Sequence, residues 1–436
     1  MSKLFLLTTA VAMLLWGSDV HSQERVIGIE ELFELCDNNS HSIEMAGYTL
    51  QQAIESIDVA KSGRLPSVEV SLSASFLGNG YVLTRGFDDV TKADMPHFGN
   101  NFAIKASQVI YAGGAIDAGI RIAELSRDIA EQGLEKSRQS IRFMMLGHYL
   151  ELYKLSNIAQ IYKKNIEQTT LQLGHIRARH REGVALSNDV TRYELLLSEQ
   201  EQALDDIESN ISIINYNITH TLGLDESTLI IPESGFLENV PAIYDVAYWQ
   251  RLATDSNSDI RIARSGLCIQ QEKERIVRAG RLPKIALVAE NHLDGPITIE
   301  VPAIDRNFNY WFVGIGVSYD IGSLWKSNSR SRAEHYSTLC ATENVEQAFE
   351  RSDIEVNEAF TNLRQAIERR ETQEQNLRLA EDNYNIMNNR YNNGLALVTE
   401  MVDADNIRLA AELQLVNSKI NIIYCYYNLL RVAGAL

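Results

Sequence analysis

Two periodicities divide the chain. Val68, Val70, Leu72, Ala74 and Phe76 alternate with Glu69, Ser71, Ser73 and Ser75. A period of two predicts a strand with one apolar and one wet face. After a loop at 78–98 rich in Gly, Asp and Asn, a second strand is predicted over Phe102 to Tyr111. The same order returns later, with a strand from Lys284 to Asn291, a loop holding Gly295-Pro296 and Pro302, and a strand from Phe308 to Tyr319. In the last of these, Trp311, Val313, Ile315, Val317 and Tyr319 share a face. Aromatics at the ends of an apolar stripe suit a membrane strand, and about ten residues is the length of a tilted bilayer crossing.

Elsewhere the apolar spacing is helical. A first long helix is predicted from about Ala115 to Arg181, with Ile141, Met145, His148, Leu152, Leu155, Ala159, Tyr162, Ile166, Thr169, Leu173 and Ile176 on its seam. Its return helix carries Val190, Tyr193, Leu197, Gln200, Leu204, Ile207, Ile211, Ile214 and Ile218. A second pair follows the same plan, with Val345, Phe349, Ser352, Val356, Ala359, Leu363, Ala366, Arg370, Gln373, Leu377, Ala380, Tyr384, Met387 and Tyr391 going out. Val402, Leu409, Val416, Ile423 and Leu430 then recur every seventh residue coming back. A sustained heptad predicts left-handed coiled-coil packing. At about 1.5 Å per residue the first long helix would reach on the order of 100 Å, so it must pack beside equally long neighbours. His148, Gln200, Arg370 and Gln373 interrupt the seam, as expected of helices in a ring with one side facing water.

The chain reads as two copies of one unit. Gly63-Arg64-Leu65-Pro66 recurs as Gly280-Arg281-Leu282-Pro283, and Arg179, Gly183, Ala185 and Leu186 recur as Arg390, Gly394, Ala396 and Leu397. Each Gly-Arg-Leu-Pro stop ends a helix, because the proline cannot continue it. The expected organisation is a signal peptide at 1–22, a first structural repeat at 23–224, a linker at 225–243 with Pro232 and Pro241, and a second repeat at 244–436. The strand pairs lie at about 67–111 and 284–320, and the helical hairpins at 115–222 and 324–433. The fold class is therefore mainly α with a membrane β part.

Composition narrows the function. Lys3 followed by the apolar run Leu4 to Trp16, then Val20-His21-Ser22, predicts a secretory signal cut ahead of Gln23. No later run is long and apolar enough for a transmembrane helix, which leaves a soluble protein or a β-barrel. A net charge of −18 argues against nucleic-acid binding. The four cysteines, Cys36, Cys268, Cys340 and Cys425, form no C-x-x-C pair, and their helical apolar spacing predicts buried unpaired thiols. His175 and His180 have the wrong spacing for a helical metal pair, and no P-loop or G-x-S-x-G is present. No catalytic residue, cofactor or metal is predicted, and the protein is not read as an enzyme.

A four-strand sheet cannot close on itself, and open edges in lipid cost several kcal/mol per unpaired group (on the order of 4–8). Three chains sharing one barrel would give twelve strands and, below them, a ring of twelve long helices. The expected object is a conduit with a helical extension.

At this point the sequence resembles the TolC family of outer-membrane efflux proteins, over nearly the whole mature chain. The most specific signatures are the two hairpin tips, Arg181-Glu182-Gly183-Val184-Ala185-Leu186-Ser187-Asn188-Asp189-Val190 and Tyr391-Asn392-Asn393-Gly394-Leu395-Ala396-Leu397-Val398-Thr399-Glu400-Met401-Val402-Asp403. The resemblance implies a homotrimeric channel in the outer membrane of a Gram-negative bacterium, in contact with outer-membrane lipid and with a large periplasmic extension. It further implies a periplasmic adaptor protein and an inner-membrane pump of RND or ABC type as partners in efflux or type I secretion. Gly183, Val184, Ala185, Leu186, Gly394, Leu395, Ala396 and Leu397 would form the adaptor-contact tips. Asp189, Tyr391, Glu400 and Asp403 would form the periplasmic gate and its cation-selective acidic rings. Ala396 stands where some members carry an arginine of the closing network, a departure from the family pattern. The alternative reading is a trimeric coiled-coil surface protein without transport activity.

Overall fold

The computed structural model describes residues 24–233, 235, 244–301 and 303–436. The expected signal peptide and much of the expected linker lie outside these residues. In chain order the elements are β1 (Glu24–Ile27), α1 (Ile29–Asn39), α2 (His41–Ser62), β2 (Ser67–Phe76), β3 (Gly80–Leu83), β4 (Val90–Ala93), β5 (Phe98–Tyr111), α3 (Ala115–Arg181) and α4 (Ser187–Leu222). Then follow β6 (Leu229–Pro232), α5 (Val246–Ser256), α6 (Ser258–Ala279), β7 (Lys284–Gly295), β8 (Phe308–Ser318), α7 (Ser323–Asn392) and α8 (Val398–Val432). Helices of 11 and 22 residues precede the strands in each half. The chain divides into two compact units. One holds the described residues up to Ala46 with Leu134–Ser258 and Phe349–Leu436, and the other holds Gly47–Gly133 and Asp259–Ala348.

The second of these units contains a four-stranded antiparallel sheet in the order β2-β5-β7-β8. The register explains the alternation. Val70 faces Ile104, Ile104 faces Asn291, and Asn291 faces Trp311 across successive strands. Val68, Ala106, Ala289 and Val313 form the next row on the same face. The opposite face carries rows such as Glu69, Lys105, Glu290 and Phe312. Thus one side of the sheet is mainly apolar, interrupted at Asn291 and Asn309, and the other is mainly polar. The apolar side is open: Leu72 is 75% exposed and Ile315 70%. The edge strands β2 and β8 each pair on one side only. The loop expected at 78–98 also holds a small hairpin, with β3 paired antiparallel to β4. Its four-residue strands are too short to register as alternation. Between β5 and α3 the chain bends at Gly113 and Gly114, whose φ values of 64° and 86° lie in the left-handed region.

The other unit holds α4, α8 and the stretches of α3 from Leu134 and of α7 from Phe349. The seam expected on α3 is the buried one, with Met145, Leu152, Ala159, Leu173 and Ile176 at 6% exposure or less. That on α7 holds as well, through Val356, Ala359, Leu363, Ala366 and Ala380. On α8 the heptad row holds only in part. Ile423 is buried, but Val402, Leu409, Val416 and Leu430 are half-buried, while Met401, Ala404, Arg408 and Ile422 are buried beside it. The reason is that Arg408 is polar by type and buried by partners, so a hydrophobic pattern passes over its row.

The core near α1 collects Ile27, Leu32, Cys36, Met145, Leu146, Tyr149, Ile218, Leu222 and Ile230. Here the segment expected to be linker instead contains β6, paired in parallel with β1. Asn215 docks it: its amide donates to the Thr228 carbonyl at 2.8 Å and its oxygen accepts from the Ile230 N–H at 2.8 Å. The Tyr149 hydroxyl donates to the Ile27 carbonyl at 2.7 Å and accepts from the Glu233 N–H at 3.0 Å. The cysteines correct the expectation of four buried thiols. Cys36 is buried and Cys425 partly so, but Cys268 and Cys340 are exposed. Helical spacing gives a position on a helix, but which face is covered depends on packing the sequence does not spell out. No helix among the described residues is long and apolar enough to cross a membrane.

Candidate functional site

The two hairpin tips share one local design. At the end of α3, the Gly183 N–H donates to His180 O at 2.9 Å and the Val184 N–H to Arg179 O at 2.9 Å. At the end of α7, the Gly394 N–H donates to Tyr391 O at 3.0 Å and the Leu395 N–H to Arg390 O at 2.8 Å. The second bond in each case reaches back five residues and needs a left-handed residue before it. Gly183 and Gly394 supply it, with φ values of 77° and 72°. Both have open space where a Cβ would sit, so the demand is conformational and not one of room.

The return helices also begin alike. Asp189 Oδ2 accepts from the Leu186 N–H at 3.1 Å, and Glu400 Oε2 accepts from the Leu397 N–H at 2.8 Å. Each carboxylate stands in the first turn of its helix, where it answers a backbone donor and the helix dipole. Asp189 and Glu400 therefore occupy equivalent places in the two hairpins. Glu400 and Asp403 are both exposed and one turn apart on α8.

The apolar tip residues point outward. Val184, Leu186, Leu395 and Leu397 are each 65–70% exposed. Ala185 and Ala396 instead pack against the cluster of Leu173, Ile176, Tyr193, Leu196, Tyr391, Val398 and Met401, which ties all four long helices together behind the tips. Tyr391 is buried there, with the Arg179 guanidinium 5.2 Å from its ring centre. Burial raises its hydroxyl pKa above the ordinary tyrosine value; the Arg179 charge pulls it down and the Asp189 charge adds to the rise. Asp189 and Tyr391, expected in one gate, thus feel each other within a single chain.

Sequence reading missed Arg408. Its side chain is 8% exposed and its Nη2 donates to Asp405 at 2.8 Å, to Asn165 Oδ1 at 2.7 Å and to Gln168 Oε1 at 2.9 Å. Its central carbon lies 4.3 Å from the Tyr384 ring centre. The signal was present as carboxylates three residues before and four after the arginine, at Asp405 and Glu412, beside the apolar row of Met401 and Ala404. Gln200, expected on a polar-tolerant seam, is buried with Oε1 unpartnered. Among the described residues no group of three or more His, Cys, Asp or Glu could hold a metal ion.

Comparison with known proteins follows the same outline. The family profile described as outer membrane efflux protein matches residues 32–224 and 249–435. The pyoverdine export outer membrane protein OpmQ of Pseudomonas putida is 24% identical over 278 residues, covering 60% of this chain. That alignment spans 56% of the relative's own length. Among solved structures, the outer membrane protein VceC of Vibrio cholerae superposes with a TM-score of 0.77 at 17% identity, over 93% of this chain and 96% of that one. The outer-membrane channel OprN gives 0.76 at 17% identity over 94% and 90%. The open state of the Neisseria gonorrhoeae MtrE outer membrane channel gives 0.72 at 13% identity over 93% and 88%. At these identities the likeness is one of fold.

Proposed function

Since the chain belongs to the outer membrane efflux protein family, we propose that it is the outer-membrane exit duct of a tripartite export system and works as a homotrimer. The observation that carries this reading is the four-stranded sheet with an exposed apolar face and two unpaired edges. An even number of antiparallel strands leaves β2 and β8 running in opposite directions. Copies placed side by side can then continue the antiparallel ladder from β8 of one to β2 of the next. Three copies of four strands give a twelve-stranded barrel that removes every edge, with the apolar side facing lipid and the polar side lining the lumen.

In this reading the leading segment at 1–22 directs export, and the mature protein sits in the outer membrane of a Gram-negative bacterium with its helices in the periplasm. The likeness in element order between the halves reflects an internal repeat. The hairpin tips meet a periplasmic adaptor through Val184, Leu186, Leu395 and Leu397, which would otherwise leave apolar surface in water. Glu400 and Asp403, repeated in three copies, place carboxylates around the entrance and favour cations. An inner-membrane pump of RND or ABC type supplies the energy, and the duct catalyses no reaction. The relative named for pyoverdine export favours a role in export over a purely structural one.

The test is cross-strand trapping. In a background with Cys36, Cys268, Cys340 and Cys425 replaced by serine, cysteine pairs are placed at successive positions along β2 and β8 and oxidised in the membrane. A covalent trimer at one register supports the shared barrel. Covalent dimers alone, or no product at any register, would sink it.

A further inference from the structure

We propose that Arg408 is the positioning residue that registers the second helical hairpin against the first and holds the tips in their resting arrangement. The inference rests on the duct reading above. Three helices meet at this one charge: α8 carries it, α3 contributes Asn165 and Gln168, and α7 contributes the Tyr384 ring. Asp405 and Glu412, with side chains 13% and 17% exposed, lie along its own helix at 2.8 and 3.7 Å. Its Nε has no partner. The other residues of that buried row, Met401 and Ala404, are apolar.

Stability alone does not call for such a residue. Taking a guanidinium out of water carries a large desolvation cost, and apolar residues of similar volume commonly replace buried ion pairs without loss. What a buried polar group in a helical seam does supply is register, because it is satisfied in one alignment and orphaned in others.

The partners divide in a way that suits a joint which must also part. The carboxylates that neutralise Arg408 belong to its own helix and travel with it. The bonds that cross to the other hairpin end on neutral carboxamide oxygens of Asn165 and Gln168. Moving α8 off α3 therefore breaks two hydrogen bonds yet leaves the buried charge compensated. Arg179 over Tyr391 is a second cationic contact between the hairpins, joining α3 to α7.

The experiment compares purified full-length trimers in planar bilayers, with thermal unfolding measured on the same samples. Arg408→Met removes the charge but keeps an apolar chain of similar length. Asn165→Ala/Gln168→Ala removes the crossing bonds, together with the Asn165 amide bond to the Ile161 carbonyl within α3, and leaves Arg408 with its carboxylates. Both are expected to raise open-channel conductance or open probability severalfold, and Arg408→Met is also expected to lower the unfolding midpoint, because it leaves the poorly exposed Asp405 and Glu412 carboxylates without their cation. The two together should add nothing further. Unchanged conductance in folded trimers of both variants overturns the proposal, as does a loss of thermal stability with conductance unaltered. Silence from every form, the unmodified trimer included, overturns the duct reading and this proposal with it.

Discussion

The bend between β5 and α3 allows a sharp comparison between two adjacent glycines. Both adopt left-handed φ values, 64° at Gly113 and 86° at Gly114. Their surroundings differ. A Cβ on Gly113 would stand 2.9 Å from the Ala279 carbonyl oxygen and 3.1 Å from its Cα and Cβ, whereas one on Gly114 meets nothing within 4 Å. Gly114→Ala therefore carries only the conformational penalty, about 1–2 kcal/mol. Gly113→Ala carries the same penalty plus overpacking against backbone, which adds about 1–3 kcal/mol. The expected losses are about 1–2 kcal/mol for Gly114→Ala and about 2–5 kcal/mol for Gly113→Ala. Urea unfolding of each purified variant, followed by tryptophan fluorescence, reads the difference directly. Equal losses at the two positions would refute the claim that close approach of α6 to the bend, and not backbone conformation alone, requires glycine at Gly113.

Further outcomes follow from the same packing. In the folded protein Cys268 and Cys340 should react with a maleimide at once and Cys36 only on unfolding; labelling at a single time point, mapped by mass spectrometry, checks this. Burial pushes the Cys36 thiol up from 9.0 to about 12, with Asp37 adding to the rise and Arg142 opposing it. A thiol held protonated by the fold contributes stability that is complete below its unfolded pKa and is lost as pH rises towards the folded one. The stability conferred by Cys36 should thus decline between 9.0 and about 12, and Cys36→Ala should flatten that part of the profile. Tyr149→Phe should cost about 0.5–1.5 kcal/mol, because the Ile27 carbonyl loses its 2.7 Å bond and keeps only the Glu233 N–H at 3.3 Å; a midpoint shift too small to resolve would show that the hydroxyl adds nothing to the remaining bond. Asp189→Ala and Glu400→Ala should each lose about 0.3–1 kcal/mol of helix-start stability, measured by thermal unfolding.

The elements that repeat a simple period were legible in the sequence. The strict alternation in β2 and the aromatic-ended stripe in β8 are properties of a strand with one apolar and one polar face, and the seams of α3 and α7 persist over many turns. The tip glycines were readable because a left-handed helix end strongly prefers that residue. Short pairings were not: β1 with β6 and β3 with β4 are four residues long, and their partners are far apart in sequence or joined by a turn. Pro232 suggested a linker but sits at the last position of β6, where its missing N–H is tolerable. Arg408 was passed over for a different reason. Its burial is created by Asn165, Gln168 and Tyr384 on other helices, and no local pattern announces them. Asp189 and Glu400 were visible as acidic residues at helix starts, but their equivalence as caps appears only with the backbone in place.

The central claim, that copies of this chain share a barrel and enclose a conducting lumen, is tested most directly by planar-bilayer recording of the purified mature trimer beside Glu400→Ala/Asp403→Ala. Discrete current steps of uniform size are predicted, with a cation preference that falls in the variant. A verified, membrane-inserted trimer that passes no current in either form, even with Arg408→Met introduced to release the hairpins, would contradict the account.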